Sequence, residues 1–198
     1  MTSRSASLHL MMSSLSKPVL FLDFDRTLFD TEGFYAWLGE DRYAQTLALL
    51  SGRRASPDFS TFLFPETFDF LRTMRAHYRL VLLSYSVNTV MQRRKVRDSG
   101  VAALFDDILI VQCDKGTAAT EYLSRFAPTA WRHVFVDDEP GNISDMKSAH
   151  PDFLVIQIGA HAGDTEHPAL TPPDKHVEDL KALLPFITPA GAEKPISR

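Results

Sequence analysis

Five apolar runs, each too short for a stable helix and none relieved by regular polar alternation, set the limits on how this chain folds. They are Val19–Leu22, Leu80–Leu83, Ile108–Val111, Val134–Val136 and Phe153–Ile158. A strand that is apolar on both faces belongs inside a sheet covered on both sides. Segments of helical spacing separate most of the runs. Phe68, Leu71, Met74 and Tyr78 predict a helix before the second run, and Val90, Met91 and Val96 predict one after it that stops at Gly100. Alternating strands and helices predict an α/β fold, a Rossmann-like three-layer α/β/α sandwich around a parallel five-stranded sheet.

With 198 residues, 44% of them hydrophobic, the chain can fill one core, which at this size removes roughly 70% of the unfolded surface from water. The connection between the first two runs is longer than the others. Its stretch 31–65 reads as a small helical cap insertion: apolar residues at Phe34, Tyr35, Leu38, Leu47 and Leu50 suit two short helices broken near Gly39, followed by an ordered loop from Ser51 to Pro65. The core is then 18–30 and 66–185, with Val177–Leu184 as a closing helix, and 186–198 is a tail. Residues 1–17 are Ser-rich and contain no acid. They suit a flexible leader, a transit peptide, or a coding start set before a true one at Met11 or Met12.

Composition narrows the partners. Lys and Arg total 21 against 25 Asp and Glu, so no basic excess attracts nucleic acid or an anionic membrane. No apolar run approaches the ~20 residues of a membrane helix. Cys113 is the single cysteine; it excludes an internal disulfide and points to a reducing, cytoplasmic setting.

The chemistry is concentrated where strands end, which in an open parallel sheet is where ligands bind. The first run leads straight into Asp23-Phe24-Asp25, the second ends in Ser84, and the fourth leads into Asp137-Asp138. On an extended chain Asp23 and Asp25 point to the same side. Two carboxylates held there repel unless a cation lies between them, and a divalent metal is the simplest one. Asp138 adds a third hard oxygen ligand, an incomplete shell that suits Mg²⁺.

Asp23-Phe24-Asp25-Arg26-Thr27-Leu28-Phe29 resembles the first motif of the haloacid dehalogenase-like hydrolase superfamily. Ser84 is similar to its second motif, Lys115 in Asp114-Lys115-Gly116 to its third, and Val136-Asp137-Asp138-Glu139-Pro140-Gly141-Asn142 to its fourth. The four stand in family order over roughly residues 18–158.

The resemblance implies a Mg²⁺-dependent phosphatase. Asp23 is then the nucleophile that becomes an aspartyl-phosphate, and Asp25 the acid and base. Mg²⁺ is held by the Asp23 carboxylate, the Asp25 backbone carbonyl and the Asp138 carboxylate, with Asp137 orienting a water, although either Asp137 or Asp138 could be the direct ligand. Ser84 and Lys115 serve the phosphoryl oxygens. Thr27 braces the loop after the first motif and, with Tyr85, borders the substrate. Family dehalogenases lack the second acid, so Asp25 argues against carbon–halogen chemistry. Phosphotransfer to another hydroxyl, or a phosphate-binding module without turnover, are the competing readings. The expected partner is a small phosphorylated metabolite; oligomeric state is not readable.

Other residues carry weaker expectations. Phe34, Tyr35, Trp37 and Arg53-Arg54 could contact substrate or simply hold the cap together. Arg93-Arg94-Lys95 with Arg97 suits a solvated helix face, His133 and His150 suit structural roles, and Cys113 suits a small buried hydrophobe.

Overall fold

The computed structural model describes residues 17–126, 132–159 and 171–188. The proposed leader, apart from Lys17, and residues 189–198 of the proposed tail lie outside them, as do residues 160–170 of the loop after the fifth strand. Strand β1 is Val19–Leu22, followed by α1 Thr31–Leu38, α2 Arg42–Leu50, a 3₁₀ turn Phe59–Phe62 and α3 Thr67–Met74. Then come β2 Arg79–Tyr85, α4 Thr89–Asp98, a 3₁₀ turn Val101–Leu104, β3 Asp107–Val111, α5 Lys115–Leu123, β4 Val134–Asp137 and α6 Pro140–Ala149. The described chain closes with β5 Leu154–Ile158, β6 Lys175–Val177 and α7 Leu180–Ile187.

The sheet is parallel throughout and runs β3-β2-β1-β4-β5-β6. It has six strands where five apolar runs predicted five. The sixth is a three-residue edge strand whose Lys175 and His176 are exposed and only Val177 is buried, so it carries no apolar run. Val177 therefore ends a strand instead of starting the closing helix, which runs from Leu180 through Pro185 to Ile187.

Each central strand is buried on both faces, and its residues alternate between two cores. Leu20, Leu22, Leu80, Leu82, Val134 and Val136 pack with Phe70, Leu71, Met74, Met91, Val96 and Leu183, placing α3, α4 and α7 on one face. Val19, Phe21, Val81, Leu83, Phe135 and Val155 pack with Ala118, Ala119, Tyr122, Ile143 and Met146 of α5 and α6 on the other. A side chain such as Phe21 or Leu82, at 0% exposure, contributes about 2 kcal/mol through its burial. This double covering is what makes the strands read as unbroken apolar runs. Val90, one of the residues used to place α4, is instead exposed.

The insertion packs through its aromatics. Phe34 is 2% exposed and lies against Phe29, Trp37, Phe59 and Phe62. Arg54 stacks on Trp37 and donates to the carbonyls of Trp37 and Leu38 and to Gln45. These side chains hold the cap to itself and to the core. Gly39, at φ +87, separates α1 from α2, a backbone conformation that costs glycine little.

Candidate active site

The parallel sheet brings the C-terminal ends of β1, β2 and β4 side by side, since Leu22 pairs with both Leu82 and Val136. The ladder between β1 and β4 continues one residue further through Asp23 N–H, which donates to Val136 C=O at 3.0 Å. Asp23 and Asp137 thereby stand on neighbouring strands at one edge.

Lys115 fills the space between them. It opens α5, whose N-cap Asp114 accepts from Thr117 N–H, and its Nζ donates to Asp23 Oδ1 at 2.5 Å and Asp137 Oδ2 at 2.6 Å. The next residue has to be glycine for this packing. A Cβ at Gly116 would lie 2.8 Å from Ala149 Cβ and 2.9 Å from Asp145 C=O, so α5 reaches α6 only because that atom is missing.

Asp23, Asp137 and Asp138 offer carboxylate oxygens that all lie within 4.8 Å of one another. One ammonium does not neutralise three carboxylates. Burial pushes Asp23 up to about 7, with Asp137 and Asp25 pushing the same way and Lys115 pulling against them. Burial, Asp23 and Asp137 likewise push Asp138 up to about 8. Burial disfavours the Lys115 ammonium, but Asp137 and Asp23 outweigh it and move its pKa upward.

The donor set fits a hard divalent cation, because a cluster of oxygens with excess negative charge is what Mg²⁺ requires. The two acids of the fourth motif differ in availability. Asp137 is 0% exposed, with Oδ2 taken by Lys115 and Oδ1 accepting from Glu139 N–H and Asn142 Nδ2. Among the described residues the Asp138 carboxylate accepts no hydrogen bond and its one cationic neighbour within 4 Å is Arg26, at 3.9 Å, so its oxygens can serve as ligands.

Asp25 departs from the sequence expectation. Its carboxylate is bonded by a different set of side chains from those at Asp23, because the chain turns directly after the strand. Leu28 and Phe29 N–H both return to Phe24 C=O, and Arg26 takes a φ of 58. The Asp25 carboxylate faces α1 and α4, where Oδ1 accepts from Thr31 Oγ1 at 2.7 Å and from Lys95 Nζ, and Oδ2 accepts from Gln92 Nε2 at 2.6 Å. The cation facing this acid is therefore an ammonium. Burial opposes ionisation of Asp25, yet the Lys95 charge and the three hydrogen bonds outweigh it and hold its pKa below the ordinary carboxylate value.

Lys95 thus leaves the solvated face to which its charge run assigned it. It is 6% exposed, and its ammonium lies over the rings of Phe24, Phe29 and Phe34 at 5.5, 5.0 and 5.8 Å. Ser84 is buried near the end of β2, which continues to Tyr85, and its Oγ accepts from Gln92 Nε2 at 3.0 Å. Tyr85 itself is half-exposed.

Thr27 is 1% exposed, and its hydroxyl has no partner among the described residues, so it does not brace the loop. Thr27, Arg26 and Asp138 line a cavity of about 590 Å³ that continues past Phe64, Ile158 and Leu180. The two histidines lie apart from the metal-sized cluster. His133 Nδ1 accepts from Val19 N–H, and His150 stacks on Phe153. Cys113 is exposed rather than buried.

The architecture matches solved structures over nearly the whole chain. A protein of Burkholderia xenovorans described as a haloacid dehalogenase-like hydrolase superposes with a TM-score of 0.67 and 22% identity, covering 86% of this chain and 97% of that one. A Bacillus subtilis hydrolase of the same class, bound to magnesium, gives 0.64 and 16%, covering 87% and 99%. A phosphatase of this class from Thermococcus onnurineus gives 0.59 and 16%, covering 89% and 99%.

No family model matches the sequence, and no curated protein matches it. The fold is that of the haloacid dehalogenase-like hydrolases. It serves more than one reaction, since other structures of this shape carry the names of a β-phosphoglucomutase and a 2-haloacid dehalogenase, so the chemistry has to be argued from the side chains.

Proposed function

We propose that the protein is a Mg²⁺-dependent phosphatase that phosphorylates itself on Asp23 and hydrolyses the product, acting on a small phosphorylated metabolite. The observation that carries this reading is the division of labour at one sheet edge. Asp23 and Asp138 keep oxygens for a cation and a phosphoryl group, while a second acid, Asp25, is held separately. A carbon–halogen hydrolase has no use for that second acid.

Lys115 occupies only Oδ1 of Asp23; Oδ2 accepts no hydrogen bond among the described residues and is available to attack phosphorus. As the Asp23–phosphorus bond forms, the bond to the leaving oxygen breaks, and Asp25 gives that oxygen a proton. The resting Asp25 is a carboxylate. A phosphate dianion arriving beside it adds negative charge, which favours its protonated form. Ser84 and Lys115 donate to phosphoryl oxygens, where charge spreads in the transition state. In the second half Asp25 takes a proton from water, which attacks phosphorus, releases phosphate and restores Asp23. Mg²⁺, held by Asp23, Asp138 and the Asp25 backbone carbonyl, would supply neutralising charge to the phosphoryl oxygens.

Hydrolysis of p-nitrophenyl phosphate with and without Mg²⁺, beside an Asp23→Asn variant, tests the reading. Metal-dependent turnover by the parent and none above background by the variant is expected. A parent without metal-dependent turnover would place the chain among phosphate-binding modules. A panel of sugar phosphates, nucleotides and phosphorylated amino acids then addresses the substrate.

A further inference from the structure

Gln92 lies on α4, 3% exposed, one helical turn before Lys95. Its Nε2 carries two hydrogens, and both are used: one on Asp25 Oδ2 at 2.6 Å, the other on Ser84 Oγ at 3.0 Å. The amide has one workable orientation, because turning it over would set its oxygen against the Asp25 carboxylate.

We infer that Gln92 is a positioning residue for the proposed reaction, holding the Asp25 carboxylate at a fixed separation from the Ser84 hydroxyl and directing that hydroxyl toward the phosphoryl group. This rests on the phosphatase reading. A hydroxyl has one hydrogen, and Ser84 Oγ receives rather than gives in its bond with Gln92, so its own hydrogen is kept for a phosphoryl oxygen. The Asp25 carboxylate is gripped on both oxygens, Oδ2 by Gln92 and Oδ1 by Lys95 and Thr31. An acid held in this way meets the leaving oxygen without first losing rotational freedom. The grip also joins three parts of the fold: Gln92 and Lys95 from the core helix, Ser84 from β2, and Thr31 from the first residue of the cap.

The test uses two substrates of nearly one shape and different leaving-group basicity, p-nitrophenyl phosphate and phenyl phosphate. Nitrophenolate leaves readily without a proton, whereas phenolate depends on Asp25. Gln92→Met should lower kcat on phenyl phosphate by about 100-fold and on p-nitrophenyl phosphate by under about tenfold, the range expected when general acid catalysis is lost. The ratio of the two rates does not depend on how much of the variant is folded, and Gln92→Leu replaces Gln92→Met if the latter does not fold at all.

In an Asp25→Ala background the same substitution should change the phenyl phosphate rate by less than about threefold, since residues acting through one another are not additive. Equal losses on both substrates, no loss on either, or full additivity with Asp25→Ala would overturn the inference while leaving the phosphatase reading intact. A parent with no Mg²⁺-dependent turnover would overturn both.

Discussion

The ammonium of Lys95 and the carboxylate of Asp25 form an ion pair closed in by the rings of Phe24, Phe29 and Phe34. The lysine side chain is 7% exposed and the aspartate 29%, so removing the lysine leaves a mostly buried carboxylate without its countercharge. Lys95→Met should cost about 3 kcal/mol of unfolding free energy. Lys95→Met combined with Asp25→Asn should cost less than the sum of the two single changes. Urea unfolding of the four proteins measures this, and strict additivity would mean the pair does not interact.

The acidic cluster makes the stability of the metal-free protein depend on pH in a definite direction. Asp23 and Asp138 have folded pKa values of about 7 and about 8 against 3.8 ordinarily. Between the unfolded and folded values the native state binds protons that the unfolded state does not. Stability from these groups is therefore full at the acid end and falls as pH rises toward about 8. On the proposed reading the native carboxylates hold Mg²⁺, so adding it should raise the melting temperature more at about pH 8 than at about pH 6. Asp138→Asn should remove most of that shift. Thermal scans at the two pH values with and without Mg²⁺ decide it.

The layout of the core could be read directly, and the physical reason is double burial. β1, β2, β4 and β5 are buried on both faces because helices cover both, β3 is half-buried at the sheet edge, and the polar ends of β1, β2 and β4 mark the site. Two things were hidden by the same logic. β6 is an edge strand with two exposed residues, preceded by Pro172 and Pro173, so it presents no apolar run.

Lys95 ends a run of three basic residues, with Arg97 following after Val96, a pattern that suits solvent. Its position is nonetheless four residues after Met91 and three after Gln92, on the buried stripe of α4, whereas Arg93 and Arg97 fall elsewhere on the helix. Helical phase was the available clue. The divergence of Asp23 from Asp25 depends on the turn at Phe24–Phe29 and on Arg26 entering the left-handed region, and no residue type in that stretch announces either.

His133 supplies an independent pH test. Burial, with a smaller push from His150, brings its pKa down to about 4, and its Nδ1 accepts from Val19 N–H at 2.9 Å. Protonating that nitrogen destroys the bond. Below the ordinary value of 6.5 the unfolded chain binds the proton and the native one does not, so stability should fall as pH drops from about 6.5 to about 4. Between about pH 7 and about pH 5 this runs against the slope from Asp23 and Asp138, so His133→Asn, which can offer Oδ1 as an acceptor without titrating, should make urea midpoints of the metal-free protein rise more steeply on acidification than in the parent. His150, whose pKa burial also lowers, contributes in the same direction as His133.

The buried hydroxyl of Thr27 has no partner among the described residues. Thr27→Val removes the polar atom and keeps the branched shape, so it should stabilise the metal-free protein by about 1 kcal/mol. A loss of stability on urea unfolding would show that the hydroxyl is bonded.

The proposed chemistry requires that Asp23 itself take the phosphoryl group. Rapid acid quench during turnover of p-nitrophenyl phosphate with Mg²⁺, followed by mass spectrometry of the peptide that contains β1, measures this directly. The expected result is one phosphoryl group on Asp23 that is absent without Mg²⁺ and absent in Asp23→Asn. Metal-dependent phosphate release while Asp23 stays unmodified and the Asp23→Asn variant still turns over would contradict it.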